Sequence, residues 1–206
     1  MSNTSLVIKK IDFEETSLIL SIFDENGFSS LMVKGAKRKN SDKLALSEPL
    51  SLISYEKTKS KFPSLTEGVV KESYRGIKED LFKYSIASIV LEYIYTLKET
   101  INEYKHLYNL TIMTLDELNL NNENPEDSLF RFEALLTRLL GIGLKKEYLS
   151  DKYMASTELL DNLDCLYRGE TIKNREVIRD FFIEYYKNEM GLNLKSKKLY
   201  LSLIEV

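Results

Sequence analysis

The first 75 residues contain five short runs in which apolar and polar positions alternate with the two-residue period of a β-strand. Between the second and third runs stands the pair Asn26 and Gly27, which predicts a tight hairpin because apolar segments flank it. Five strands in about 70 residues predict a small barrel, and both an OB-fold and an SH3-like barrel fit that strand count. The predicted strands cover residues 5–11, 16–23, 28–34, 50–57 and 65–73.

Beyond residue 75 the apolar positions recur every three or four residues, which is the spacing of the buried face of a helix. The first helical segment is apolar on more than one face, as is typical of the central helix of a bundle. A polar stretch at residues 121–125 interrupts the pattern, and residues 144–155 are predicted to be irregular. The sequence thus predicts an α+β protein, with a β-barrel in residues 1–75 and a helical domain in residues 76–206. The predicted helices cover residues 77–98, 102–120, 128–140, 157–163 and 174–190.

Charge is unevenly distributed between the two predicted domains. The formal net charge of −3 over 206 residues argues against a globally basic nucleic-acid binder. Residues 34–61 nevertheless hold eight Lys and Arg against three Asp and Glu, whereas residues 76–206 carry a net charge of −5. This asymmetry indicates a polyanionic partner for the barrel.

The basic segment begins where the third predicted strand ends. Gly35 lets the backbone turn, and no acid follows until Asp42. A strand that delivers a cluster of cations to a sheet edge suits a phosphate backbone, although a solvated lysine-rich loop fits the same residues equally well. The candidate DNA-binding cations are Lys34, Lys37, Arg38, Lys39, Lys43, Lys57, Lys59 and Lys61.

Three aromatic residues of the barrel are candidates for stacking on nucleobases. Phe28 and Tyr55 lie within predicted strands, where packing in the core is the commoner role. Phe62 lies between Lys61 and Pro63 in a predicted loop, so we expect it to be exposed. It therefore joins the candidate DNA-binding residues.

The chain offers no constellation of residues that predicts catalysis. His106 is the only histidine and Cys165 the only cysteine, so neither a thiolate zinc cluster nor an intramolecular disulfide is possible within this sequence. There is no phosphate-binding glycine-rich loop. We therefore expect a protein that is not an enzyme and that holds no cofactor or metal. The sequence shows no signal peptide and no membrane-length apolar run, which favours a cytoplasmic location.

Seven segments bear on the family of the chain, namely residues 12–18, 33–38, 46–50, 65–67, 130–133, 139–141 and 194–198. Taken in order, they resemble the bacterial RecO family of DNA repair and DNA recombination mediators. Many members carry a four-cysteine zinc module after the Leu-Gly turn, whereas residues 145–155 contain no cysteine, so the chain resembles the shorter members without zinc.

The resemblance implies an N-terminal five-stranded OB-fold barrel that binds DNA in response to DNA damage, followed by a C-terminal helical bundle. The implied partners are single-stranded DNA, the C-terminal tail of the single-strand-binding protein SSB, and RecR. Together with RecR, the protein would help to load a RecA-type recombinase, and it would also anneal complementary DNA strands. Binding to duplex DNA, the oligomeric state and the RecR surface stay open. The alternative is an OB-fold adaptor whose barrel binds protein or RNA.

An SSB tail is acidic and apolar, so it needs cations beside an apolar surface. Residues 128–146 hold four cations against Glu133 alone, although an ordinary bundle helix with two surface arginines fits equally well. The candidate partner-binding residues are Arg131, Phe132, Leu135 and Arg138. The sequence leaves open whether Lys195, Lys197 and Lys198 contact DNA or only solvate the C-terminal segment.

We predict that the purified protein contains no stoichiometric zinc. One cysteine and one histidine are too few for a structural nitrogen and sulfur site. Elemental analysis after dialysis should therefore give far less than one zinc per chain. One zinc retained per chain would contradict the prediction.

Overall fold

The structure, a computed structural model, describes residues 3–120, 123–170 and 172–204. Two positions of the predicted helix break, 121 and 122, lie outside the described residues, as do the last two of the apolar C-terminal segment. The chain divides into two compact units. The first runs to Arg75 and includes Tyr104–Asn109, and the second holds Gly76–Glu103 and the residues from Leu110 onward.

The first unit is built on one five-stranded antiparallel sheet in the order β3-β2-β1-β4-β5. This confirms the predicted α+β class with a five-stranded OB-fold barrel at the N-terminus. Alternating side chains on the strands point inward, where Leu20 and Leu31 face each other across β2 and β3. The strands are β1 (Asn3–Phe13), β2 (Ser17–Asp24), β3 (Gly27–Val33), β4 (Ser51–Lys57) and β5 (Leu65–Glu72).

The β2–β3 hairpin forms at the predicted Asn-Gly pair. Gly27 has φ +115°, a backbone conformation that L side chains rarely adopt. The carboxylate of Asp24 accepts a hydrogen bond from the Asn26 backbone N–H at 2.8 Å. Beyond the turn, the rings of Phe23 and Phe28 stack with their centroids 4.3 Å apart. These contacts fix the register of the two strands.

A hydrogen bond between β3 and the segment before β5 closes the barrel. The backbone N–H of Met32 donates to the carbonyl of Pro63 at 2.9 Å, and Met32 forms an isolated parallel bridge with Ser64. Without this contact, β3 and β5 would be the two free edges of the sheet. Closure therefore brings the β4–β5 connection against the outer strand of the barrel.

Eight helices follow in the described part of the chain, whereas five were predicted. The single predicted helix of residues 77–98 is divided into Arg75–Lys78 and Leu81–Thr96, because Asp80 between them caps the second one. Two further helices were not predicted at all. Residues 144–155 were expected to be irregular, yet Lys146–Tyr153 is a helix anchored by fully buried Leu149. The C-terminal segment also forms a helix, Lys197–Ile204, in which Tyr200 is buried. The helices are α1 (Arg75–Lys78), α2 (Leu81–Thr96), α3 (Tyr104–Asn119), α4 (Pro125–Leu139), α5 (Lys146–Tyr153), α6 (Thr157–Arg168), α7 (Arg175–Met190) and α8 (Lys197–Ile204).

The buried residue Glu133 on α4 joins three other helices of the second unit. Its carboxylate accepts hydrogen bonds from the Tyr93 hydroxyl of α2 at 2.6 Å and from the Lys197 ammonium of α8 at 3.2 Å. The Tyr186 hydroxyl of α7 donates to the Glu133 carbonyl at 2.6 Å. Burial, and then the Glu133 charge, raises the pKa of Tyr93 well above its usual value, so its hydroxyl stays a donor.

Two other kinds of feature are absent from the described ranges. No helix there combines the length and the apolar character that crossing a bilayer requires. Across the same residues, His, Cys, Asp and Glu side chains nowhere gather in a group of three or more that could hold a metal ion.

We predict that Gly76→Ala destabilises the helical unit. A Cβ atom at Gly76 would lie closer than 3.0 Å to the backbone carbonyl oxygen of Asn119, so the backbone must shift. Overpacking of this kind costs about 1–3 kcal/mol. Gly143→Ala is the matched control, because a Cβ atom there would have no other atom within 4 Å. In urea denaturation, the unfolding midpoint of Gly76→Ala should be lower than that of the wild type, and the midpoint of Gly143→Ala should not. Equal midpoints for both variants would contradict the close approach of Gly76 to the Asn119 carbonyl.

Candidate nucleic-acid interface and partner surface

The basic loop after β3, residues 34–41, is docked on the barrel by its own backbone. Gly35 has φ +71°, which turns the chain, and Ala36 is fully buried. The backbone N–H of Lys37 then donates to the carbonyl of Thr16 in the β1–β2 turn at 2.9 Å. The loop thus has a fixed path, with Lys34, Arg38 and Lys39 exposed along it.

The structure separates the candidate cations of this region into different environments. The Lys37 ammonium lies 3.3 Å from the Asp12 carboxylate, which partly neutralises it. Lys43 lies in the 3-10 helix Asp42–Ser47 and lines a depression together with Asp42 and Glu67. The acids beside Lys43 make its surroundings less attractive to phosphate than those of the other candidates.

The second basic loop, residues 58–64, is called the lysine loop here, and internal hydrogen bonds hold it. The backbone N–H of Thr58 donates to the Ser64 carbonyl at 3.0 Å, and the Ser64 N–H donates to the Thr58 hydroxyl at 2.9 Å. The Ser60 hydroxyl donates to the Phe62 carbonyl at 2.7 Å. Together with the barrel closure at Pro63, these bonds give the loop one defined shape.

Two depressions lie on either side of the lysine loop, and Lys61 and Pro63 line both. The lysine cleft, of about 840 Å³, contains three lysines against one acid. The apolar pocket, of about 460 Å³, is lined by two serines, one lysine and four apolar residues. The lysine cleft is lined by Asn3, Glu56, Lys57, Thr58, Lys59, Ser60, Lys61 and Pro63. The apolar pocket is lined by Ile19, Ser29, Ser30, Met32, Lys61, Phe62 and Pro63.

Sequence reasoning missed the strand residues of the apolar pocket, and one signal could have found them. Ile19 and Met32 are cross-strand partners on the outward face of β2 and β3, where alternation calls for polar residues. An outward-facing apolar pair beside a basic loop therefore indicates a binding surface. Ser29 and Ser30 of β3 also line the pocket.

The three aromatic candidates lie in different environments in the structure. The side chain of Phe62 is 75% exposed, as its place in the loop led us to expect. Tyr55 is buried in the barrel, its hydroxyl is 3.3 Å from the Ser5 hydroxyl, and burial raises its pKa. Phe28 packs on Phe23 and on Tyr104. Phe28 and Tyr55 therefore belong to the packing of the barrel.

The candidate partner-binding residues on α4 lie in different environments. The Arg131 guanidinium is paired with the Glu117 carboxylate at 2.5 Å. Phe132 is fully buried against Tyr93, so our assignment of its ring to a partner surface is wrong. Leu135 is half-buried, and the exposed Arg138 lies with its guanidinium 4.0 Å above the Tyr167 ring.

A different surface of the second unit combines cations with apolar side chains. This surface, the C-terminal groove, has a volume of about 140 Å³ and lies between α7 and α8. Three lysines, Lys187, Lys197 and Lys198, share it with apolar residues of both helices. Its lining residues are Tyr93, Ile183, Tyr186, Lys187, Leu192, Asn193, Leu194, Lys197, Lys198 and Leu201.

Comparison with protein families gives two matches that together cover most of the chain. Residues 1–74 match the family described as Recombination protein O N terminal, and residues 78–148 match Recombination protein O C terminal. The chain is also similar to curated proteins named DNA repair protein RecO. The protein of Bacillus subtilis (strain 168) is 30% identical over 145 residues, which is 69% of this chain and 55% of that protein.

Two further relatives bear the same name. The Clostridium perfringens (strain 13 / Type A) protein is 31% identical over 142 residues, covering 68% of this chain and 58% of that protein. The Oceanobacillus iheyensis protein is 25% identical over 234 aligned positions, which cover 94% of this chain and 90% of that protein. In most of the matches to curated proteins of this name, the chain spans only about half the length of the relative, from 47% to 58%.

Proposed function

Because the chain belongs to the RecO family, we propose that it is a non-enzymatic mediator of DNA repair and recombination that binds single-stranded DNA. The DNA would lie on the barrel of residues 1–75, while the helices of residues 76–206 would serve a protein partner. The observation that carries the proposal is the pair of basic loops on one OB-fold barrel, fixed by backbone hydrogen bonds. Fixed cations bind phosphate at a smaller entropic cost than mobile ones.

The proposed contacts are mainly with phosphates, which makes the binding independent of sequence. Lys57, Lys59 and Lys61 share the lysine cleft, and Lys34, Arg38 and Lys39 are exposed on the other loop. Lys37, held beside Asp12, and Lys43, beside Asp42 and Glu67, would contribute less. We expect Phe62 to add contact with the bases.

Strand annealing follows from the same surface. Two complementary strands repel each other through their phosphates, and a protein that neutralises phosphates lowers that repulsion. A strand held along its backbone with free base edges can then pair. We also propose that the protein acts with RecR to load a RecA-type recombinase. Only its membership of the RecO family supports this part of the proposal.

For the helical domain we propose an acidic protein tail with an apolar end, of the kind carried by SSB. The C-terminal groove supports this better than α4 does, because its three lysines adjoin apolar side chains. On α4, Arg131 is already paired with Glu117, and only Leu135 and Arg138 remain available to a partner. Charge-assisted hydrogen bonds to such a tail contribute about 1.5–3 kcal/mol each.

We predict that reversing the loop cations weakens single-strand binding and flattens its salt dependence. The variants are Lys37→Glu/Arg38→Glu/Lys39→Glu and Lys59→Glu/Lys61→Glu. All five side chains lie in connecting loops, where charge changes alter stability little. Each lost phosphate contact should reduce the slope of log affinity against log salt by about 0.7. Fluorescence anisotropy with a labelled oligonucleotide across a salt series measures both.

A matched double reversal away from the two loops is Lys71→Glu/Lys173→Glu, since both lysines are exposed. It makes the same change in net charge as Lys59→Glu/Lys61→Glu and should leave the salt slope near that of the wild type. If all variants bound the oligonucleotide equally well, the barrel loops would not be the DNA site. An RNA oligonucleotide that bound more tightly than DNA would favour the adaptor alternative.

We predict that Lys187→Glu/Lys198→Glu lowers the affinity for an acidic peptide with an apolar C-terminal residue by at least about tenfold. Lys197 is left intact because its ammonium compensates the buried Glu133 carboxylate. Anisotropy with the labelled peptide and the full chain is the measurement, and affinity for naked DNA should not change. Loss of peptide binding in Arg131→Glu or Arg138→Glu, with no loss in the lysine variant, would assign the partner to α4 instead.

A further inference from the structure

We propose that the apolar pocket beside the lysine loop receives an unpaired nucleobase, which makes the barrel selective for single-stranded over duplex DNA. This inference rests on the proposed DNA binding and adds to it the part of the nucleic acid that is recognised. The pocket lies between the outward face of the β2–β3 hairpin and the lysine loop. Its volume of about 460 Å³ falls within the ~300–1,000 Å³ of typical small-ligand sites.

The lining of the pocket has the chemistry that a base requires. Ile19 and Met32, neighbours across β2 and β3, form an apolar floor. Phe62 supplies a ring that is 75% exposed, and such a ring offers a face on which any base can stack. Ser30 lies on the same face of β3 as Met32, and its hydroxyl can donate to or accept from base edges, so it favours no single base. The pocket is therefore suited to bases in general.

The backbone that carries the exposed ring is held in place by hydrogen bonds. The carbonyl of Phe62 accepts a hydrogen bond from the Ser60 hydroxyl at 2.7 Å. The next residue, Pro63, accepts the bond from the Met32 N–H that closes the barrel. Because the backbone at Phe62 and Pro63 is fixed, stacking requires ordering of the ring but not of the loop.

The charges around the pocket favour nucleic acid as its occupant. Lys61 lines the apolar pocket and also the lysine cleft, which holds Lys57 and Lys59 as well. A single DNA strand that crosses the lysine loop would thus meet cations for its phosphates and an apolar surface for a base within about one nucleotide. An uncharged apolar protein segment would gain nothing from these lysines. If an acidic peptide with an apolar end displaced oligo-dT from this pocket, the pocket would belong to a protein partner instead.

Strand selectivity follows from geometry. In a duplex the faces of the bases are covered by stacking on their neighbours, and the bases cannot enter a side pocket without being unstacked and unpaired. Single-stranded DNA offers its base faces freely. Phosphate contacts alone do not make this distinction, so the pocket supplies a preference that the lysines lack.

The test compares Phe62→Ala with wild type on three probes of equal length: an oligo-dT, a fully abasic oligonucleotide, and a blunt duplex. We expect Phe62→Ala to lose at least about fivefold in affinity for oligo-dT. Its affinity for the abasic strand and the duplex should be unchanged, and so should its salt slope, because no charge is removed. Phe62→Tyr should retain most of the oligo-dT affinity.

Val69→Ala is the matched control, since Val69 is an apolar residue of β5 that is 57% exposed and lies outside the apolar pocket. It should bind all three probes like the wild type. Equal oligo-dT affinity of Phe62→Ala and wild type would overturn the base pocket. Equal losses on the dT and abasic strands would also overturn it, because the ring would then act on the loop and not on a base.

The two proposals fail in different ways. If wild-type protein bound none of the probes, the proposed DNA binding itself would be wrong. If Lys59→Glu/Lys61→Glu lost affinity for oligo-dT while Phe62→Ala did not, DNA binding would stand and only the base pocket would be excluded.

Discussion

The hydrogen bond from the Met32 N–H to the Pro63 carbonyl is the contact on which the candidate nucleic-acid interface depends. It satisfies edge groups of β3 and anchors the lysine loop to that strand, which would otherwise end the sheet. The lysine cleft and the apolar pocket exist because this anchor and the bonds of Thr58 and Ser64 give the loop one shape. A rigid loop that carries both cations and an aromatic ring can address phosphate and base at once.

The second unit depends on a different constraint, the burial of a charge. The Glu133 carboxylate lies in the interior, where an unpaired charge would be very costly. Tyr93 and Lys197 donate to it, and this ties α8 to α2 and α4. The Glu92 carboxylate adds backbone hydrogen bonds from Lys195 and Ser196 at the start of α8. The C-terminal groove and its lysines therefore follow from how α8 is held.

Much of the barrel could be predicted from the sequence because its signals are local. The two-residue alternation and the Asn-Gly pair define five strands and a hairpin, and the structure has both at nearly the predicted positions. The run of cations from Lys34 to Lys39 is likewise visible without a structure, as is the loop position of Phe62. Periodicity did not detect α5 and α8, which have eight residues each, because helices this short are stable only through tertiary contacts such as buried Leu149.

The sequence by itself determined the class of the fold, the family, and the presence of cations and an exposed ring in the loops. Only the tertiary structure decided which of these residues share a surface. It moved Phe132 into the core, paired Arg131 with Glu117, and set Ile19 and Met32 beside Phe62. The physical reason is that strand and helix periods depend on neighbouring residues, whereas a pocket or an ion pair joins residues far apart in sequence. Their distances are fixed only when the barrel closes and the helices pack.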